Sequence, residues 1–415
     1  MNIVKLVEER KEQLYENLSK LIQFDSQNFG HRGNEQQVAE YIRDEINAMG
    51  YEADMYSPMD IPGMENHPDY WPGRNLENRY NVSVVIPGKD HSRRIMLAGH
   101  NDTVPIGDRA NWTVDPLGGE IRDGQIWGRG ACDDKYALAV MLLLLRIFKE
   151  ENITPEYDLV FTAFCDEEAG GSHGALAACL RYPCDDFIVL DCKAFLVWNL
   201  ASGGGEFKVH IKNKVPTSNC ACMLAGLNVV KEELDAFRER RKTDLLRHPE
   251  CHGTIIPDTA ARLMEIRTGN EGTDLDRGVI KVCFYTSQTK EEIFAEFEEM
   301  GKVLSRKLDP LGIDFVNIEM TTRFFHFGKT ERNNPAMDGI FKAAAAAPNR
   351  TVKAVASCLS DLSIFLKYGS PRAFAFGLGK EFHDYGGAHQ PDECVECEKL
   401  LDYTKIVAAF TTQKL

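Results

Sequence analysis

No stretch of this chain is long and apolar enough to cross a bilayer: the most apolar run, Ala137 to Leu145, falls well short of the ~20 residues required and is followed at once by Arg146. Basic charge is also scarce. Lys and Arg number 48 against 63 Asp and Glu, a formal net charge of -15. That balance excludes a nucleic-acid or anionic-membrane partner, which is held by clustered cations that displace counterions. No GxSxG elbow occurs, which argues against a serine hydrolase. The GGG at Gly203 to Gly205 lacks the strand-to-helix context of a phosphate loop and reads as an interdomain hinge. Internal repeats are missing, and the alanine run Ala343 to Ala347 is what a helix explains. The opening MNIVKLVEERKEQLYENLSKLIQF has apolar residues at helical spacing broken by Glu and Arg, unlike the uninterrupted core of a signal peptide. Its twelve cysteines therefore read as free thiols packed like small hydrophobes, and a cytoplasmic location is expected. Cys394 and Cys397 form a CxxC with no second pair, weak ground for a metal or redox site.

What is present is material for roughly two globular domains. The 415 residues exceed one ordinary core, and a hydrophobic share of 43% with 27% charged residues is that of a packed globule. From Met1 to about Gly205 helical and strand patterns alternate: an opening helix, Gln36 to Met49, strands NVSVVIP and RRIMLAGH, a helix from Tyr136 to Glu150, and strands DLVFTAF and DFIVLD. Such alternation predicts a layered α/β domain with a mainly parallel central sheet. After Gly205 the order becomes strand GEFKVHI, helix Lys231 to Thr243, strands ARLMEIR and GVIKVCFYT, helix Lys290 to Leu308 and strand DFVNIEM. This predicts an inserted α+β, ferredoxin-like β-α-β-β-α-β domain, with a short extra strand near Gly253 to Ile256. The expected division is residues 1–205 and 323–415 for the catalytic domain and 206–322 for the insert.

Five segments carry the chemistry: GHNDTVP around His100, GRGACDDK around Asp133, CDEEAGG around Glu167, LDCK around Asp191 and GGAHQPDE around His389. Each offers a metal-competent oxygen or imidazole nitrogen from a strand end or loop, where an open α/β sheet exposes its ligand crevice. His100 and Asp102 lie two apart, so in extended chain they point the same way, and Asp102 can hold the imidazole in the metal-ligating tautomer. Asp133 and Asp134 start an apolar helix whose N-terminus favours carboxylates, and one of them can bridge two ions. Of Glu167 and Glu168, one can bind metal while the other faces the water to be activated. For the last segment, His383 and Asp384 compete with His389. Asp102, Asp133, Glu167, Glu168 and Asp191, if brought together, would repel one another by about 4 kcal/mol per pair at ~4 Å and an effective dielectric of ~20. Two divalent ions would nearly cancel that charge.

In these five ordered motifs the chain resembles the dinuclear zinc amidohydrolases and peptidases, the family of acetylornithine deacetylase, succinyl-diaminopimelate desuccinylase, aminoacylase and carboxypeptidase G. The resemblance runs from the first helix to the last. It implies that His100, Asp133 and Asp191 hold one Zn2+ and that Asp133, Glu168 and His389 hold the other, with Co2+ or Mn2+ as substitutes. It also implies that Asp102 orients His100, that Glu167 is the general base for a metal-bridged water, and that the Asp133–Asp134 peptide is cis. The implied reaction is hydrolysis of an amide in an N-acyl amino acid or similar small carboxylate-bearing substrate. A dipeptidase or aminopeptidase of the same family is the alternative, and a zinc-containing binding protein without turnover is a third. A homodimer formed through the inserted lid or dimerisation domain is a further implication.

The chain departs from the family pattern in places. Where the family carries a lobe histidine that donates to the oxyanion, this sequence reads NKVPTSNCA, with Thr217 or Ser218 near that place. His210 and His252 are the nearest substitutes. Tyr136 replaces a glycine after DDK and is expected to crowd the site. Arg267 is a candidate partner for a substrate carboxylate, or else part of a structural salt bridge. The proline- and aromatic-rich IPGMENHPDYWPGRNLENRYNV is expected to flank the pocket.

Overall fold

The computed structural model describes the chain except Met1 and residues 217–220, 252–258 and 271–272; at 270, 273 and 274 it describes the backbone only. His252, Thr217, Ser218 and the short strand expected at 253–256 lie outside the described residues. Two compact units result. One comprises Met1–Asn199, Lys329–Val355 and Ile364–Leu415; the other comprises Leu200–Gly328 and Ala356–Ser363.

In the first unit, helices α1 (Ile3–Glu9), α2 (Lys11–Ile22) and α3 (Gln36–Ala48) precede strands β1 (Asp54–Tyr56), β2 (Asn81–Ile86) and β3 (Asp90–His100). Helix α4 (Lys135–Glu150), β4 (Tyr157–Phe164), α5 (His173–Arg181), β5 (Asp186–Ala194) and β6 (Leu196–Ala201) follow. Strands β4, β3 and β5 are parallel neighbours, β2 joins β4 antiparallel, and β1 joins β2. The late strand Phe374–Gly377 runs parallel to β5 on one side and antiparallel to β6 on the other. The sheet is therefore mainly parallel at its centre, and its central strands read as continuous apolar runs because helices cover them.

Helix α4 is the clearest case of sequence dictating place. KYALAVMLLLLRIFKE is buried on nearly every face, as a helix apolar all round must be. Its first residue is a buried lysine whose Nζ donates to the carbonyls of Leu21 (3.0 Å) and Phe24 (2.8 Å), so the charge is solvated by the end of α2 rather than by water. Gly99 permits the close approach of this helix to β3: a Cβ there would lie 2.7 Å from the Ala137 Cβ and 2.8 Å from Asp134 Oδ2.

The second unit contains β7 (Gly203–Asn213), α6 (Ala221–Leu245), β8 (Ala261–Asn270), β9 (Thr273–Thr286), α7 (Lys290–Leu308) and β10 (Ile313–Met320). Its strands lie in the order β8-β9-β7-β10, all antiparallel, which is the β-α-β-β-α-β arrangement. Phe207, Phe237, Phe284 and Phe297 stack into its core. Gly203 to Gly205 open β7 as paired strand residues opposite Thr286, Tyr285 and Phe284. The expected hinge is thus a point of close backbone approach: a Cβ on Gly204 would meet the Phe284 carbonyl oxygen at 2.1 Å.

Candidate metal centre

Strand register assembles the site. His100 ends β3 directly opposite Phe164, the end of β4, so the following turn with Glu167 and Glu168 emerges beside the imidazole. On the other side Ala98 pairs with Val189 of β5, which brings Asp191, two residues further on, level with His100. The turn before α4 delivers Asp133 through a cis Asp133–Asp134 peptide. Asp134 points back into the sheet, where its Oδ2 accepts from the His100 amide at 3.1 Å. Burial, with the Asp191 charge adding to it, holds the Asp134 carboxyl well above the usual range.

Asp133 stands between two imidazoles. His100 Nε2 is 3.0 Å from its Oδ1 and His389 Nε2 is 3.2 Å from its Oδ2. His389 Nε2 also lies 3.2 Å from Glu168 Oε2, and ligand atoms of His100, Asp133 and Glu168 all fall within 4.8 Å of one another. Bonds of 2.0–2.2 Å to a tetrahedral ion place neighbouring ligand atoms about 3.4 Å apart, so this donor set is spaced for divalent metal. Burial opposes charge on the imidazoles, yet the surrounding carboxylates prevail. His100 is raised well above its ordinary value by the nearby carboxylates of Asp102, Asp133 and Glu167, and His389 is pushed up to about 11 by Glu168 and Asp133. Asp133 moves downward for the reciprocal reason: its burial is outweighed by the two imidazoles.

The orientation of His100 differs from expectation in one atom. Its Nδ1 donates to the main-chain carbonyl of Asp102 at 2.9 Å, whereas the Asp102 carboxylate is 3.6 Å away. That carboxylate is occupied elsewhere. It accepts from Asn28 Nδ2 (2.8 Å) and from the amides of Glu167 (3.1 Å) and Glu168 (3.0 Å). Asp102 thus fixes the His100 tautomer through its backbone, leaving Nε2 to face Asp133, and its side chain holds the glutamate turn. On the far side, buried Arg129 and Glu393 pair at 2.6 Å; Glu393 also accepts from the Cys132 amide, and Arg129 reaches the His389 carbonyl at 3.5 Å. His389 itself sits at φ 65, and the rival His383 and Asp384 are exposed on the same loop.

Other candidates land elsewhere. Tyr136 does not face the site: it is 0% exposed, donating to Leu190 O (2.5 Å) and accepting from Leu378 N (2.9 Å), so its hydroxyl serves the core. His210 and Arg267 belong to the second unit, where His210 lies 3.1 Å from Glu319 and Arg267 pairs with Glu265 at 3.3 Å. Cys132, Cys165 and Cys192 are buried, and Cys394 Sγ is 2.8 Å from Gln125 Oε1. Asn28, which no motif marked, supports the glutamate turn together with Arg74 and Arg79 of the 61–82 segment, whose partner is Asp166 inside CDEEAGG.

Comparison with known proteins shows the family and the fold. An uncharacterized metallohydrolase of Methanocaldococcus jannaschii is 25% identical over 94% of this chain and 96% of its own. A succinyl-diaminopimelate desuccinylase of Cereibacter sphaeroides is 43% identical over 89 residues, 21% of this chain and 23% of that enzyme. Among solved structures, the dipeptidase Dug1p of Saccharomyces cerevisiae superposes with a TM-score of 0.73 at 15% identity, covering 99% of this chain and 97% of that one. The model of peptidase family M20/M25/M40 matches residues 96–413, a span that takes in every one of the five motifs: the chain belongs to that family, as a metallohydrolase acting on C–N bonds.

Proposed function

We propose that the protein is a two-zinc amidohydrolase that releases an amino acid from a small N-acyl, carboxylate-bearing substrate, with Glu167 as general base. The observation that carries this reading is the Asp133 carboxylate set between His100 and His389. His100, Asp133 and Asp191 would hold one ion, and Asp133, Glu168 and His389 the other. Bound zinc supplies Lewis acidity toward the amide carbonyl and lowers the pKa of water. The protein's own residues do the rest. Asp133 spans the two donor sets, and the Asp102 carbonyl keeps the His100 Nε2 lone pair directed inward. Glu167, anchored by its amide to Asp102, takes a proton from the attacking water and returns it to the leaving nitrogen.

The desuccinylase likeness over 89 residues favours an N-acyl substrate. A dipeptidase is the second reading, supported by the whole-chain fold likeness to the dipeptidase Dug1p. The cysteines, none of them in a disulfide among the described residues, support a cytoplasmic setting. A second copy is the partner expected at edge strand β10, where Val316 is exposed and a groove of about 590 Å³ runs beside Phe294 and Phe315.

The test is amine release from N-acyl amino acids and dipeptides by zinc-loaded protein. Glu167→Gln is expected to cost about 10²–10⁴ in turnover with both metals retained, whereas Glu168→Gln loses one metal. Equal metal loss in both variants sinks this division of labour. Cleavage confined to dipeptides selects the second reading, and silence across the panel with zinc bound rejects both.

A further inference from the structure

The segment 61–82, IPGMENHPDYWPGRNLENRYNV, supplies none of the metal donors, yet its middle part bears on the turn that carries Glu167 and Glu168. That turn holds three non-glycine residues in the left-handed region: Asp166 (φ 61), Ala169 (φ 58) and Ser172 (φ 62). Such conformations persist only where their surroundings over-determine them. From one side the turn is fixed by Asp102 and by Asn28, whose Nδ2 donates to the Glu168 carbonyl at 2.8 Å. From the other it is fixed by the segment. Arg74 forks its guanidinium between the carbonyls of Gly30 and Ala169 and stands 3.5 Å from Asp166 Oδ1, with its side chain only 4% exposed. Arg79 reaches the same Oδ1 at 2.8 Å. The Trp71 amide donates to His173 Nε2 (3.1 Å), and His173 Nδ1 donates to Asp166 Oδ2 (2.6 Å).

We propose that Arg74 is a positioning residue for the metal centre, tying this segment to the Ala169 carbonyl and so fixing the direction in which Glu168 faces His389 and Asp133. The fork suits the task. A planar guanidinium satisfies two carbonyls at a set angle, which the point charge of a lysine cannot do. Arg79 and Glu35 form the deeper, fully buried part of the same support, so Arg74 is the member that can be changed with least risk to folding.

The inference rests on the reading of Glu168 as a ligand, and the test separates the two. Metal-free full-length protein is titrated with Co2+ alone, followed by visible absorption. Glu168→Gln is expected to abolish one of two equivalents. Arg74→Met is expected to weaken that same equivalent on the order of tenfold or more and shift its absorption, leaving the other equivalent and the melting temperature of the metal-free protein as in wild type. Arg74→Lys should weaken it by a smaller factor. Wild-type affinity for both equivalents in Arg74→Met overturns the proposal, as does loss of both equivalents in step with melting temperature. Should Arg74→Met not fold, wild-type affinity in Arg74→Lys overturns it. Retention of both equivalents by Glu168→Gln sinks the ligand reading itself, whatever Arg74→Met does.

Discussion

Tyr136 illustrates how one residue can sit next to a catalytic motif and belong wholly to the core. It follows Asp133 by three positions, yet its ring packs edge-on against Tyr403 and its hydroxyl links Leu190 O to Leu378 N. Burial accordingly raises its pKa well above the ordinary phenol. Tyr136→Phe should remove about 1–3 kcal/mol of stability, because the Leu378 amide is left buried without a partner. It should leave turnover unchanged. Denaturant unfolding and steady-state rates check both halves; a selective fall in kcat would return Tyr136 to the site. Most of the proposed ligands were legible in the sequence because His100 ends an apolar strand, Glu168 follows one closely and Asp133 precedes an apolar helix, whereas His389 lies in a loop. Their supports were not. Asn28 meets Asp102 across 74 positions and Arg74 meets Ala169 across 95, and neither pairing leaves a local pattern. The choice between the Asp102 carboxylate and its carbonyl turned on where Asn28 and two amides come to rest, which spacing cannot encode.

Elements with strong periodicity were legible to within a residue or two: α3, α4 and α7 lie where their apolar spacing predicts, and α7 begins at Thr289 with a complete capping box to Glu292. Helix α6 starts at Ala221, well before the charged stretch that marked it, because ACMLAGLNVV buries Met223, Leu227 and Val230 without the polar face that signals amphipathicity. Strand β6 (LVWNLA) is a short apolar run, for which pattern alone does not separate strand from helix. The joint between α6 and β9 shows how such elements are fastened. Asp244 accepts from Thr286 Oγ1 (2.8 Å), Ser287 N (2.8 Å) and Ser287 Oγ (2.5 Å). Burial works to raise its pKa, but the Ser287 and Thr286 bonds and the Arg241 charge outweigh it, and the net shift is downward. A depressed folded pKa contributes stability above the unfolded value of about 3.9 that is lost as pH falls through the folded value. Asp244→Asn should therefore cost about 2 kcal/mol at pH 7 and progressively less below pH 4. Urea unfolding at pH 7 and pH 3 measures this, and a pH-independent difference contradicts it.

At the scale of the whole molecule, the first unit folds around a concentration of negative charge that it must neutralise with or without metal. Without metal, protonated imidazoles take the place of the ions: His100 is held well above its ordinary pKa and His389 near 11. A raised folded pKa gives stability that is complete below the unfolded value, 6.5, and is lost as pH rises toward 11. The metal-free protein should thus weaken steadily with alkalinity. With metal bound both imidazoles are neutral ligands, so this source of decline disappears; below about pH 6.5 the unfolded chain binds more protons, and stability instead falls on acidification. The two states should therefore diverge as pH rises. At any one pH, each ion present at about 100 times its Kd adds roughly 2.7 kcal/mol. Calorimetric melting of zinc-loaded and chelator-treated protein at pH 6, 7.5 and 9 should show a lower melting temperature for the chelated protein throughout and a gap that widens toward pH 9. A constant gap would mean that the imidazoles are not the groups that balance the carboxylates when metal is removed. No gap at all would mean that the five motifs, though adjacent, do not share a metal-dependent charge balance.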